Sequence, residues 1–192
     1  MSRALKTIWI FYPEKIILFR FEKPYEGFSP KQVIFLYEHG PEKMKWTPRL
    51  LKWGYRIYGP YLGAGIWMET ISKDWRYAKI SMGMKWYNRN AVGTHFGGSL
   101  YSMVDPHYML MLMPILGNEY YVWDKSAEIE FVKPGKGRVS AEFRIQDQDL
   151  EQIIERTGNG DKYLHTFEVD VVDENQSLVA KVKKVIYIRK KK

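Results

Sequence analysis

Residues 100–115, LYSMVDPHYMLMLMPI, form the most apolar stretch of the chain, and reading them decides the fold. Leu100 to Val104 and Tyr108 to Ile115 are apolar on nearly every side of a helix. That pattern marks a helix buried by its surroundings, where a surface helix would show one apolar stripe. Met103, Met109, Met111 and Met113 suit flexible core filling better than ligation of a metal or cofactor. One charge interrupts the run: Asp105, just before Pro106.

Strands flank this helix on both sides. Ile66–Ile71 and Trp75–Met84 read as a hairpin turning at Ser72-Lys73-Asp74, and a polar loop from Asn88 to Gly98 leads into the helix. Tyr120–Val132 follows, ending at Lys133-Pro134-Gly135, and then Gly137–Ile145, where Val139, Ala141 and Phe143 alternate with Ser140, Glu142 and Arg144. Asp147–Thr157 reads as a short helix closed by Gly158-Asn159-Gly160. Tyr163–Val172 and Leu178–Ile188 complete the set. The order is two strands, a buried helix, then four strands, which is neither a βαβ array nor a pure sandwich. One antiparallel sheet curved around one long helix buries that helix with the fewest elements. The expected class is therefore α+β, in the hotdog arrangement.

Residues 1–59 precede this pattern. Ser29-Pro30 and Thr47-Pro48 each read as an N-cap with proline in the first turn. They open expected helices over Lys31–Glu38, ending at Gly40-Pro41, and over Leu50–Tyr58, ending at Gly59-Pro60. Both are expected to pack on a domain spanning residues 60–192, while residues 1–28 form an aromatic-rich leader. Glu14, Lys15 and Arg20 interrupt the apolar run near the N-terminus and no small-residue cleavage site follows, which speaks against a signal peptide. No apolar stretch reaches the ~20 residues of a membrane span.

The 192 residues contain no cysteine, which excludes disulfides, zinc–thiolate sites and a cysteine nucleophile. A reducing, cytoplasmic setting is the expectation. The net charge of +8 is scattered apart from Lys183-Lys184 and the tail from Arg189 to Lys192, and no nucleic-acid motif accompanies it. A nucleic-acid partner is not expected. A basic rim would also suit an anionic carrier such as coenzyme A.

The run Asn90-Ala91-Val92-Gly93-Thr94-His95-Phe96-Gly97-Gly98-Ser99-Leu100-Tyr101-Ser102-Met103-Val104-Asp105 resembles the active-site segment of the phenylacetyl-CoA-type hotdog thioesterases. Over a longer span, from Asn88 through Asp105-Pro106 to Val122-Trp123-Asp124-Lys125, the chain resembles a related hotdog family known as domain of unknown function 4442. The resemblance covers roughly residues 60–190 and implies an acyl-CoA or acyl-carrier-protein thioester as ligand, no resident cofactor or metal, and a homodimer or dimer of dimers. It carries a role as base or nucleophile to Asp105, and placement of water or thioester to Asn90.

The residues support these roles independently. Gly97 and Gly98 stand where a helix begins, so their N–H groups lack intrahelical acceptors and can polarise a carbonyl. Equally, they can serve a loop that needs positive φ. Asp105 lies about two helical turns beyond Gly98 and returns to the same face, as a base on water or a nucleophile. Its other reading is a structural carboxylate at the break that Pro106 imposes. Asn90 alone would be a turn residue. The thioesterase family's His, where present, immediately precedes the glycine pair, but here that position is Phe96. His95 then caps or lines the loop, with Gly93 and Phe96 beside the ligand. Asp124 is either a second polar site residue or an edge-strand ion pair with Lys125.

Overall fold

The structure, a computed structural model, describes residues 6–12, 15–21 and 47–192. The expected helix over Lys31–Glu38 lies outside the described residues. The chain divides into two compact units between Lys45 and Trp46, and each is described by itself.

In the first unit, strands β1 (Lys6–Tyr12) and β2 (Lys15–Phe21) pair antiparallel, Lys6 opposite Phe21 and Tyr12 opposite Lys15. The sequence pattern alone assigns no element here. The β-branched and aromatic residues of the two segments are those that favour a pleated ribbon.

The second unit begins with two helices. Helix α1 (Pro48–Tyr55) opens at Thr47, whose side chain accepts the N–H of Leu50 at 3.2 Å. It stops sooner than the periodicity suggests. Gly59-Pro60 does more than end it, because a short helix α2 (Gly59–Ala64) begins there and closes at Gly65 with φ +72°. Leu51, Tyr55, Tyr61 and Ala64 belong to the same buried core as the sheet, so the compact unit starts at Trp46 rather than at residue 60.

The remaining elements are β3 (Ile66–Ile71), β4 (Tyr77–Gly83), α3 (Gly97–Ser102), α4 (His107–Leu116), β5 (Tyr120–Phe131), β6 (Arg138–Arg144), α5 (Asp147–Thr157), β7 (Lys162–Asp173) and β8 (Leu178–Lys190). The six strands form one curved antiparallel sheet in the order β3-β4-β6-β7-β8-β5. Strand β4 starts later than expected because Trp75, with φ +64°, still belongs to the turn. Helix α5 forms over the expected residues, with Gln146 and Asp149 closing a reciprocal capping box.

The long helix is present, but as two segments. Residues 103–106 break it, since Pro106 offers no N–H and disfavours helical geometry at Asp105. Met103, Val104, Tyr108, Met111 and Leu112 are buried against Ile80, Val139, Phe143, Val169, Val182 and Ile186 of the sheet. Tyr108 stacks on Phe167 with ring centroids 4.1 Å apart. No helix among the described residues is long and apolar enough to cross a membrane.

Deleting residues 1–28 is expected to leave the second unit folded, because the core residues among those described lie beyond Trp46. A thermal melt followed by circular dichroism should keep one cooperative transition. A broad, non-cooperative melt would make the leader part of the core.

Candidate active site

Asp105 sits in the break between α3 and α4, not inside a continuous helix, and its side chain is 42% exposed. The two-turn spacing from Gly98 therefore does not place the two on one uninterrupted helical face. The carboxylate is tightly held on one oxygen: Oδ1 accepts from the Tyr101 hydroxyl at 2.8 Å and from Lys184 Nζ at 2.9 Å. No described residue donates a hydrogen bond to Oδ2.

Lys184 is the residue that the sequence reading missed. Along β8 the inward row is Ala180, Val182, Lys184, Ile186 and Ile188, all buried, so this lysine occupies an apolar position. Its side chain is 1% exposed and lies 3.0 Å from Asp124 Oδ1 as well as on Asp105. The contact with Asp124 has ion-pair distance but not hydrogen-bond alignment, and Asp124 Oδ1 is buried with no other partner. Asp124 faces inward because it pairs with buried Ile186 just before a bulge between Asp124 and Ser126. Its partner is thus Lys184, not the adjacent Lys125. Period-two alternation was the available signal for Lys184, but a Lys-Lys pair reads as surface charge.

Burial pushes the Asp124 carboxyl above its ordinary range, with the lysine pulling it part of the way back. Burial also pushes the Lys184 ammonium down, but its hydrogen bond to Asp105 and its close contact with both carboxylates outweigh that and leave it raised. Two acids and one fixed cation therefore form a single electrostatic unit.

Behind the break, His107 is fully enclosed. Its Nε2–H donates to the Met103 carbonyl at 2.8 Å, capping the end of α3, and Nδ1 accepts from the Tyr55 hydroxyl at 3.1 Å. Burial, only partly offset by the Met103 bond, pushes this imidazole down to about 4. A depressed histidine stabilises the fold fully above its ordinary 6.5, and that contribution is lost as pH falls toward 4. The His107 ring resonances should accordingly stay those of a neutral imidazole from pH 7.5 down to about 5.5. A titration midpoint near 6.5 would show that the Tyr55–His107–Met103 chain is not closed in solution.

The loop residues form a second group. Asn90 Oδ1 accepts from the N–H groups of Val92 and Thr94 at 3.1 and 3.0 Å, and its amide donates to Thr94 Oγ1 at 2.8 Å and to the His95 carbonyl at 3.3 Å. The Asn90 side chain is thus committed to its own turn, which Gly93 completes with φ +78°. His95 is buried; its Nε2–H donates to the Gly137 carbonyl at 2.9 Å and Nδ1 has no partner. Desolvation lowers its pKa, which keeps it neutral.

Gly97 and Gly98 open α3 without positive φ, so the loop-strain reading of this pair fails. Close approach is the reason for glycine. A Cβ at Gly97 would lie 3.0 Å from the Phe131 ring, and one at Gly98 would run into the ring of Phe96. Neither N–H donates to a described backbone group. Asn90, His95, Gly97 and Phe131 border a pocket of about 350 Å³. Phe96 and Phe131 are both more than half exposed beside it.

Within one chain, then, Asp105 and Asp124 come together through Lys184, and Asn90, Gly93, His95 and Gly97 come together around the loop. No hydrogen bond or ion pair joins the two groups among the described residues. No group of three or more His, Cys, Asp or Glu there could hold a metal ion.

The family described as domain of unknown function DUF4442 matches residues 47–188, which takes in both groups and the helices before them. The chain belongs to the DUF4442 family. No curated protein matches it in sequence. A Pseudomonas aeruginosa protein of unknown function, a probable thioesterase, is similar in structure with a TM-score of 0.67 and 19% identity, over 77% of this chain and 98% of that one. A thioesterase from Haemophilus influenzae gives a TM-score of 0.56 at 12% identity, over 77% and 94%. The PaaI protein of the Escherichia coli phenylacetic acid degradation operon gives 0.53 at 15%, over 74% and 91%. At these identities the likeness shows the fold, and the fold of this DUF4442 protein is the hotdog.

Proposed function

We propose that this DUF4442 protein hydrolyses an acyl-CoA or acyl-carrier-protein thioester, with Asp105 as general base or nucleophile. The observation that carries the reading is the state of Asp105. It stands at the helix break, half exposed, anchored through Oδ1, with Oδ2 free to take a proton from water or to attack a carbonyl carbon. In the base route, water loses its proton to Oδ2 and its oxygen adds to the carbonyl carbon. The carbon–sulfur bond then breaks and the thiolate leaves. The free N–H of Gly98 is offered to the carbonyl oxygen, and Gly97, Gly93, His95 and Phe96 line the approach.

The separation of Asp105 from the Asn90 loop within one chain supports a homodimer whose sites combine the two groups across the interface. The β5 edge adds a second reason, since it carries unpaired backbone groups and the exposed Phe131. The expected result is a dimer, or a dimer of dimers, by light scattering at micromolar concentration. A stable monomer would leave Asn90 without a route to Asp105. The cysteine-free chain is read as acting in the cytoplasm.

A second reading keeps the ligand and drops the chemistry: a hotdog protein that binds acyl groups or serves as an assembly unit. The saturation of Asn90 in its own turn favours it. Assaying a panel of short, long and aromatic acyl-CoAs separates the two. Hydrolysis that disappears on replacing Asp105 supports the first, and thermal stabilisation by acyl-CoA without turnover supports the second.

A further inference from the structure

We propose that Lys184 is a positioning residue for Asp105, its buried ammonium fixing Oδ1 and leaving Oδ2 as the oxygen presented to substrate. The inference rests on the thioesterase reading for its chemical consequence but on independent geometry for the contact. An ammonium in the inward row of β8 lies between Val182 and Ile186, where an apolar side chain would fill the space without losing hydration. Stability alone therefore gives no reason for a lysine there. What the lysine adds is direction. It comes from the sheet, 79 residues away in sequence, and meets a carboxylate in a turn that has lost its helical hydrogen bonds.

The groups facing the pair come from every surrounding element. Tyr101 of α3 donates to the same oxygen, and its ring lies 5.7 Å from the ammonium. Asp124 of β5 supplies the second negative charge. His107 of α4 is neutral and turned to the Met103 carbonyl and to Tyr55 of α1. Asp105 thus has two donors on one oxygen, which fix the position and plane of its carboxylate, whereas the proline turn alone leaves a half-exposed side chain free to turn toward solvent. Only the fixed ammonium, aided by Tyr101, selects the orientation.

The test compares K184M, K184R and the double variant K184M/D124N in the full chain. The double variant removes the cation together with its second partner and leaves Asp105 half exposed and hydrated, so it guards against simple misfolding. In folded protein, kcat on the best acyl-CoA of the panel should fall ~10-fold or more in K184M/D124N, because a reactive group has lost its orientation. KM should stay within about twofold, and K184R should retain more activity than K184M. A purely structural lysine would instead lower the melting temperature while the folded fraction kept the wild-type kcat. That outcome overturns the proposal.

A second measurement does not depend on hydrolysis. In lysine-labelled protein the ¹⁵Nζ resonance of Lys184 should have slowly exchanging protons and should shift in Asp105→Asn. If wild type turns over no thioester, the thioesterase reading fails while this measurement still reports on the contact. A Lys184 resonance indifferent to Asp105→Asn overturns the positioning role whatever the activity.

Discussion

Asp105→Asn is expected to keep the fold and to lower thioester hydrolysis by ~10²-fold or more, the usual loss when a positioned base is removed. The amide preserves the shape of the side chain and can still accept from Tyr101 and Lys184 through its oxygen. Lys184 also keeps Asp124 at 3.0 Å as a counter-charge, so the substitution does not strand a buried cation. What is lost is the basic or nucleophilic oxygen. Thermal melting and initial rates on the same two samples make the test, because a structural role and a catalytic role predict opposite pairs of results. A lowered melting temperature with surviving activity would assign Asp105 to the helix break alone. Undiminished hydrolysis by a well-folded Asp105→Asn protein would end the proposed mechanism.

The largest stability effect is expected from removing both acids. Asp105→Asn/Asp124→Asn leaves the ammonium of Lys184 buried without a carboxylate, and breaking a buried ion pair in this way costs about 3–5 kcal/mol. Each single substitution leaves one carboxylate in place and should cost much less, so the double variant should lose well over the sum of the two singles. Urea denaturation of the four proteins measures this coupling. Additive losses would mean that the cation is hydrated or neutral in solution, contrary to its 1% exposure. A milder version comes from pH alone. The raised Lys184 contributes stability that is full below its ordinary 10.5 and is lost as pH climbs through its folded value, so alkaline loss should begin above about 10.5 and vanish in K184M.

Much of the fold was legible in local pattern. The alternation Val139, Ala141, Phe143 marked β6, and the polar and apolar spacing of Asp147–Thr157 marked α5, because both elements bury one face. The apolar run of residues 100–115 announced a central helix because it is apolar on nearly every side, as burial by its surroundings requires. Its division into α3 and α4 was also visible in Asp105-Pro106, although the periodicity argument that set Asp105 on the face of Gly98 assumed an unbroken helix. The candidate site was legible in part. Asp105 stood out as an acid in an apolar run and the glycine pair as a helix start, while Asp124 was singled out through the family resemblance.

Lys184 did not stand out, and neither did the commitment of Asn90 to its own turn. A lysine beside a second lysine in a charged strand has the composition of a surface. Alternation along β8 puts its side chain in the inward row, but only the pairing of β5 with β8, Asp124 opposite Ile186, brings the second acid to 3.0 Å. The same holds for Tyr55 and His107, 52 residues apart, whose hydrogen bond ties the first helix of the unit to the break before α4. Sequence by itself determined the strands from residue 66 onward, their order and the hotdog class, since apolar periodicity is a local property that burial imposes on neighbouring residues; it left out β1, β2 and α2. Tertiary structure alone decided the electrostatic partners of Asp105. A buried charge is stabilised by whichever opposite charge the fold carries to it, and that choice is made through space between residues as far apart as 105 and 184.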